Sequence, residues 1–535
     1  MHGKRACLIV DLRSGDNVVK VPDLIAVLEA AGWKTDVCLK EFSGETLKLA
    51  EKAAKDGHDL VIGYGGDGTL NAVVNGVMYA GGKSIIGDIP GGTFNEWASE
   101  VSIPQDPVKA ALALVNSIPR KVDLGFFEVE GLTIPAHAVH NGQDQQADDV
   151  EEKGTSNPEE AGQVAETRET EEIQEKPKKA GKHRQYFLLH AGLGVDAAIM
   201  ARINKPLKYH VGKLAFDIAG LKELPRQRPF PVEICSLDDN RKPDLQWKGE
   251  AWQVIVNNTR RYAGAIDLSP DAYIDDGILD VTVVPAGGPL TTLQEAVSFL
   301  LLHTVDNNTT LNFRGPHLTI SVPASIELEL DGSVVKLKDF LRKKERRALE
   351  QVGDADKVMV RYRFDAVLAA GRMAFPCTYD GSMFEKPSHK APFEQAAQQR
   401  KELEEKIAAL QQQERERAEQ ARQNGQPGQA ESHFTSQVEG LQKQGRKITV
   451  VGVDPNPHQP HTYIIAGTYQ RKNDGKVEPT AVCIDDHTLV LTTQGEQVPL
   501  LLIENLHEGE QIAVDGKKSK HAVIDANGIL LPPRP

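Results

Sequence analysis

No two of the five cysteines in this 535-residue chain (Cys7, Cys38, Cys235, Cys377, Cys483) form a C-x-x-C pair. Their wide spacing excludes a disulfide framework and a zinc ribbon, and fits reduced intracellular thiols. Long hydrophobic runs are missing too: nothing approaches the roughly 20 apolar residues a membrane-spanning helix needs. The longest candidate, LQEAVSFLLLHTV, is too short and reads as a core helix. The N-terminal MHGKRACLIVDL has too short an apolar stretch for a signal peptide. A soluble cytoplasmic protein is expected. Excess positive charge is absent; a net charge of −14 argues against a general nucleic-acid binder. Aromatic residues make up only 5%, which predicts that part of the chain is not packed. The 40% of hydrophobic residues is nevertheless enough for real cores. At about 150 residues per domain the length predicts three or four units.

The expected fold class is α/β plus β. Residues 1–128 alternate strand signals (ACLIVDL, KTDVCL, DLVIGY, SIIGDI) with helical ones (VPDLIAVLEAAGW, GETLKLAEKAAKDG, TLNAVVNGVM). That alternation predicts a parallel sheet covered on both faces. Residues 129–385 read as a β-rich unit, with runs such as RQYFLLHAGLG, GILDVTVVP and SIELELDG between turn residues. Two helices are expected within it, near 207–224 and 290–304. Residues 143–182 interrupt it with twelve acids against six bases, a composition that cannot bury enough surface to offset chain entropy. Residues 386–445 read as a helical linker. Its thin seam of Leu403, Ile407 and Leu410 is too short to decide between a coiled coil and a single spacer helix. Residues 446–535 show short strands at regular spacing, the pattern of a small barrel or sandwich, with a weak resemblance to an OB-like barrel.

The stretch VIGYGGDGTLNAVVNG carries the chemistry. Glycines between a strand and a helix let backbone N–H groups approach phosphate oxygens, helped by the helix N-terminus. An aspartate inside such a loop would repel phosphate unless it holds Mg²⁺ or a bridging water. The alternative is a tight turn with a capping Asp. DIPGGTFNEWASEV repeats the theme after another strand, and LIVDLRSGDN places Ser14 and Gly15 after the first. Loops at the same ends of parallel strands converge on one crevice.

These segments resemble the diacylglycerol kinase catalytic family. GGDGTLNAVVNG is similar to its nucleotide loop, IPGGTFNEWA to its P-x-G-T-x-N-D-x-A segment and RKVDLG to its interdomain strand. KPLKYHVGKLAFDIAGLKEL, VNNTRRYAGAIDLSPDAYIDDGILDVTVV and IELELDGS are similar to successive elements of its β domain, in order over residues 5 to 378. The resemblance implies an α/β nucleotide domain, a β-sandwich lipid domain and a cleft between them. It implies that Gly65, Gly66, Asp67, Gly68 and Thr69 hold ATP phosphates, with Gly92, Thr93 and Asn95 in the same pocket. Asp67, Glu96 and Asp123 would form an acidic Mg²⁺–water network, and Asp331 would be the general base toward a lipid hydroxyl. Asp275 and Asp276 would shape a second, structural metal site or a plain turn.

The chain departs from that pattern at Asp11 and Leu12 (usually Asn-Pro), Lys40 (a threonine), Ala72 (a glutamate), Phe94 (a glycine) and Ser333 (a glutamate). A second DGS, Asp380–Ser382, reads as a turn. LKDFLRKKERRALEQVGDADK, 337–357, reads as a basic amphipathic helix with Phe340, Leu341, Leu349 and Val352 as its apolar edge. Such a helix docks on anionic headgroups or is simply solvated. The function implied is an ATP- and Mg²⁺-dependent lipid kinase acting on diacylglycerol or a related lipid alcohol, peripheral to the inner membrane face. The alternative is a weakly catalytic scaffold of the same fold that binds lipid or nucleotide.

Overall fold

The computed structural model describes residues 4–12, 17–42, 44–134, 184–195, 197–198, 228–238, 241–262, 266–286, 310–424, 431–456, 459, 461–471, 474–519 and 522–533. The acidic insertion 143–182, the helices expected near 207–224 and 290–304, and Ser14 and Gly15 lie outside the described residues.

Four strands open the chain: β1 (Arg5–Asp11), β2 (Lys34–Lys40), β3 (Leu60–Gly65) and β4 (Ile85–Pro90). They pair in the order β2-β1-β3-β4, all parallel. Parallel sheets need helices on both faces. Here α1 (Asn17–Ala30) packs with α5 (Pro107–Val115), and α2 (Glu45–Lys55) with α3 (Asp67–Tyr79). The short α4 (Glu96–Glu100) follows β4. Every residue of β3 is buried, as a run read as DLVIGY requires. At Gly76, α3 lies so close to α2 that a Cβ would stand 2.5 Å from the Leu47 carbonyl.

The next unit shares a sheet with the first. Strand β5 (Ser117–Thr133) pairs antiparallel along its length with β17 (Met359–Pro376), and β17 meets β4 at Met373–Ile86. Between them come β6 (Arg184–Phe187), β7 (His190–Gly194), β8 (Phe230–Leu237), β9 (Pro243–Asn257), the paired β10 (Arg261–Tyr262) and β11 (Ile266–Asp267), β12 (Leu279–Pro285), β13 (Leu311–Gly315), β14 (His317–Pro323), β15 (Leu328–Leu330) and β16 (Ser333–Val335). The continuous path is β16-β15-β7-β9-β8-β14-β17-β4-β3-β1-β2. Phe127, Phe187, Tyr362 and Phe364 lie at the heart of the second core.

The segment 337–357 is not one amphipathic helix. It breaks into α6 (Leu337–Phe340), α7 (Lys343–Val352) and a 3₁₀ turn (Ala355–Lys357). The first half of its apolar edge turns inward: Leu341 is buried, and Phe340 meets Phe127 edge-on at 5.2 Å. Lys343, Lys344, Arg346 and Arg347 stay exposed.

Helix α8 (Pro387–Asn424) and helix α9 (Glu431–Gln444) lead to the last strands, β18 (Arg446–Pro455), β19 (Tyr463–Gln470), β20 (Val477–Ile484), β21 (Leu489–Leu491), β22 (Gln511–Lys518) and β23 (Val523–Leu530). They pair as β20-β19-β18-β22-β23, and a parallel β20–β23 pairing closes the barrel. The Leu403–Ile407–Leu410 seam joins the barrel core, which explains its shortness: it covers one small unit. The barrel's other side rests on α1 and α5. Ile464, Ala466, Ala481 and Val523 are buried in the same core as the N-terminal helices. Burying a side chain such as Ile464 fully contributes about 1.5–3 kcal/mol. Lys109 and Glu508 add an ion pair at the edge.

Candidate active site

Three loops meet at the carboxyl ends of β3 and β4 and the tip of the β15–β16 turn. Gly65 must be glycine because a Cβ there would stand 2.6 Å from Thr69 Oγ1. Gly66 and Gly92 touch backbone to backbone: a Cβ on Gly92 would be 2.4 Å from Gly66 Cα. A Cβ on Gly68 would be 2.7 Å from Ser333 Oγ. The predicted convergence of Gly65–Thr69 and Gly92–Glu96 is therefore present, and Asp331–Ser333 joins it.

Asp67 opens α3, where a carboxylate suits the helix N-terminus. Its Oδ1 accepts the Trp97 N–H at 3.2 Å. Burial raises its pKa, the Glu96 and Trp97 N–H groups oppose that, and Asp331 adds to it. Glu96 is buried, and its pKa is pushed up to about 8 by burial, against the pull of His190. Glu96 Oε2 has no hydrogen-bond partner among the described residues; His190 Nδ1 lies 3.6 Å away.

His190, which the sequence reading did not single out, stands between two glutamates. Its Nε2 is 3.3 Å from Glu329 Oε1, and its ring lies 4.9 Å from that of Tyr262. Burial pulls its pKa down, but Glu329, Glu96 and Asp331 overcome that and hold it at about 10. Glu329 is fixed by the Gly332 N–H at 2.7 Å.

Asp331 sits in the left-handed region, at φ 46°. Its Oδ1 accepts the Leu189 and His190 N–H groups at 2.9 and 3.0 Å. Its Oδ2 accepts the Leu188 N–H and Asn71 Nδ2, both at 2.7 Å. The run RQYFLLHAGLG breaks into β6 and β7 at Leu188–Leu189, and that bend aims the N–H groups. A carboxylate offers about four lone-pair directions. In this arrangement all four are taken by the 188–190 backbone and Asn71, which ties the residue expected as general base to α3 and to the β6–β7 bend. Burial raises its pKa, while the Leu188 N–H, His190 and Asn71 oppose the shift.

Asn71 and Asn75, one turn apart on α3, were also missed. Asn71 Nδ2 and Asn75 Nδ2 both donate to the Tyr186 carbonyl, and Asn75 Oδ1 accepts the Tyr186 N–H. Two amides at i, i+4 inside an apolar helix were the available signal.

Other expected site residues sit differently. The oxygens of Asp123 accept the Gly277 N–H at 2.7 Å and the Ala369 N–H at 2.6 Å. Among the described residues no three His, Cys, Asp or Glu side chains are grouped to hold one metal ion. Thr69 gives its N–H to Gly66 O and its hydroxyl to Asp11. Gly92 gives its N–H to Asn95 Oδ1, so Asn95 holds the loop's own shape. Thr93 and Phe94 are half-buried. Asp275 accepts the Glu385 and Lys386 N–H groups and pairs with His389 at 2.8 Å, while Asp276 pairs with Arg314 at 3.1 Å. Protein donors thus occupy the expected second metal site and anchor the start of α8. Asp380 is exposed and accepts the Ser382 N–H, a turn as expected.

Asp11 and Lys40, two separate departures in the sequence, are one ion pair: Lys40 Nζ is 2.6 Å from Asp11 Oδ2.

A family profile described as "Diacylglycerol kinase catalytic domain" matches residues 5–127. A second, described as "YegS C-terminal NAD kinase beta sandwich-like domain", matches residues 190–337. Among curated relatives, a "Diacylglycerol kinase" of Bacillus subtilis (strain 168) is 25% identical over 332 residues, covering 62% of this chain and 89% of that protein. A "Probable lipid kinase YegS-like" of Pseudomonas syringae pv. tomato is 25% identical over 344 residues, covering 64% and 90%. A solved putative diacylglycerol kinase from Bacillus anthracis str. Sterne overlaps 70% of this chain and 96% of its own, with TM-score 0.47 and 19% identity. The catalytic-domain match over residues 5–127 and the sandwich-like match over residues 190–337, in that order along the chain, bear out the resemblance to the diacylglycerol kinase catalytic-domain family.

Proposed function

We propose that the chain is a lipid kinase that moves the γ-phosphoryl group of ATP to a lipid hydroxyl, with a diacylglycerol-like alcohol as acceptor. The observation that carries this is the meeting of Gly65–Gly68, Gly92 and Asp331–Ser333 at van der Waals distance beside the half-buried Asp67 and the buried Glu96. The family matches and the names of the relatives support the same reading.

Phosphoryl transfer through a loose transition state asks the protein mainly for positioning and charge stabilisation. The glycine loop and the start of α3 offer backbone N–H groups and a positive helix end to the phosphates. Asp67 and Glu96 fit Mg²⁺: both are hard oxygen donors, and Glu96 Oε2 is buried without a hydrogen-bond partner among the described residues. A bound Mg²⁺ would neutralise charge on the transferring phosphate. Asp123 holds the β5–β17 crossing instead. Asp331 acts as a positioning carboxylate that locks the 188–190 bend to α3. His190, held cationic between Glu96 and Glu329, limits the negative charge of the cluster. The exposed basic face of α7 is the surface for an anionic membrane.

Transfer of labelled γ-phosphate to diacylglycerol, a sphingoid base and a monoacylglycerol tests the reading. Label in one lipid, abolished by Asp67→Ala, is expected. Unlabelled lipids together with absent nucleotide binding would favour a non-catalytic scaffold.

A further inference from the structure

Strand β2 ends the sheet path, so one of its edges meets no other strand among the described residues. The register fixes which of its backbone groups face that open side. The Lys34 N–H donates to the Lys4 carbonyl just ahead of β1. Backbone groups alternate in direction along a strand. Lys34, Asp36, Cys38 and Lys40 therefore turn theirs toward β1, and Thr35, Val37 and Leu39 turn theirs outward. The Thr35 N–H is already taken by Glu29 Oε1 at 3.2 Å. Just past the strand, the Glu41 N–H is taken by Glu45 Oε2 at 2.6 Å. Between these two capped ends, the outward N–H groups of Val37 and Leu39 meet no acceptor among the described residues.

The side chains are open too. Val37 is 37% exposed, Leu39 47%, and Phe42 beyond them 51%. An uncovered edge with apolar side chains is a template for another strand, and soluble proteins normally blunt one with charge, proline or a bulge. Here the charges, Asp36 and Lys40, flank the open residues instead of interrupting them.

A second β2 running antiparallel matches this edge about a two-fold axis at Cys38. Val37 then faces the partner's Leu39 as a hydrogen-bonded pair, and Leu39 faces the partner's Val37, which uses every open N–H group on both copies. Asp36 faces the partner's Lys40, opposite in sign. The next pair, Thr35 and the partner's Glu41, has its N–H groups occupied within each chain, and the ladder stops there. An axis at Val37 would set Lys34 against the partner's Lys40 and need the occupied Thr35 N–H. An axis at Leu39 would need the occupied Glu41 N–H.

We propose that the free edge of β2 is a homodimer interface, where two copies pair antiparallel about Cys38 and join their parallel sheets into one. Cys38 then faces the partner's Cys38 in a non-hydrogen-bonded pair. Cα atoms in such a pair lie about 4.5 Å apart, within disulfide reach.

Sedimentation equilibrium of the full chain over a dilution series tests the dimer. A variant that keeps Cys38 as its one cysteine, oxidised with copper–phenanthroline and mapped by mass spectrometry, tests the register. Wild type should associate to a dimer. Leu39→Lys and, independently, Val37→Lys should weaken it about tenfold or more, because a lysine replaces an apolar cross-strand contact. Leu245→Lys, at a similarly exposed leucine of β9, should leave it unchanged. The single-cysteine variant should form a Cys38–Cys38 bridge between copies. A wild type monomeric at every concentration overturns the proposal, whether the edge stays bare or a segment of the same chain covers it. A dimer that survives both lysine substitutions overturns it as well. A dimer lost in both but never bridged through Cys38 overturns the register, and with it the self-complementary pairing.

Discussion

Gly92→Ala is the sharpest perturbation of the proposed phosphate site. Its Cβ would lie 2.4 Å from Gly66 Cα and 3.0 Å from Gly66 N, both backbone atoms that no rotamer change can move. Ordinary contact begins at 3.4 Å, so the two glycine loops must part by about 1 Å, from 3.4 minus 2.4. Overpacking of this kind costs about 1–3 kcal/mol of stability. A displacement of about 1 Å among positioning groups can cost about 100-fold in rate. The assay pairs urea denaturation with phosphate transfer at saturating lipid. Gly131→Ala serves as control, because nothing lies within 4 Å of its added Cβ. The variant should stay folded, lose up to 3 kcal/mol, about the upper end of overpacking costs, and lose transfer at least tenfold. Transfer within twofold of the control, at unchanged stability, would refute the claim that the loops' close approach shapes the site.

Other outcomes follow from the same geometry. Asn71→Ala removes one of four donors to the buried Asp331 and one link to Tyr186; urea midpoints should report a loss of about 1–3 kcal/mol. The His190 pKa, raised from 6.5 to about 10, gives stability fully present below pH 6.5 and lost as pH rises through about 10. Glu96, raised from 4.5 to about 8, acts in the same direction over its own window. Metal-free protein should therefore lose stability with a slope of up to about 1.4 kcal/mol per pH unit per group, and His190→Asn should flatten the curve above pH 8. Replacing Lys343, Lys344, Arg346 and Arg347 by Glu should abolish sedimentation with anionic vesicles, each lost cation being worth about 1 kcal/mol. Unchanged sedimentation would remove α7 as the membrane face.

The parallel sheet and its glycine loops were legible because strand–helix alternation and tight turns are local signals. The partners of those loops were not. The role expected of Asp331 came from the resemblance of LDGS to a family element, and nothing in that motif reveals that the Leu188–His190 N–H groups, more than 140 residues away, bind its carboxylate. The ion pair of Asp11 and Lys40 looked like two unrelated departures until the β1–β2 register set them side by side. Strand β17 was missed although Val360, Tyr362 and Phe364 alternate with Arg361, Arg363 and Asp365; its pattern lay behind a basic helical stretch and outside the motif blocks. The apolar edge of 337–357 suited a membrane face by periodicity, but packing on Phe127 took Phe340 inward. Leu403, Ile407 and Leu410 formed a real seam whose partner, a barrel, no heptad count could name.

The central claim is that phosphate binds where Gly65–Gly68, Gly92 and the Asp331–Ser333 turn meet. A crystal structure of the full chain with Mg²⁺ and a non-hydrolysable ATP analogue tests it most directly. The account predicts the phosphates against the Gly66–Gly68 backbone, with the metal on Asp67 and Glu96 and with Asp331 still bound to the 188–190 bend. Phosphates elsewhere, or a metal held by Asp123, would contradict it.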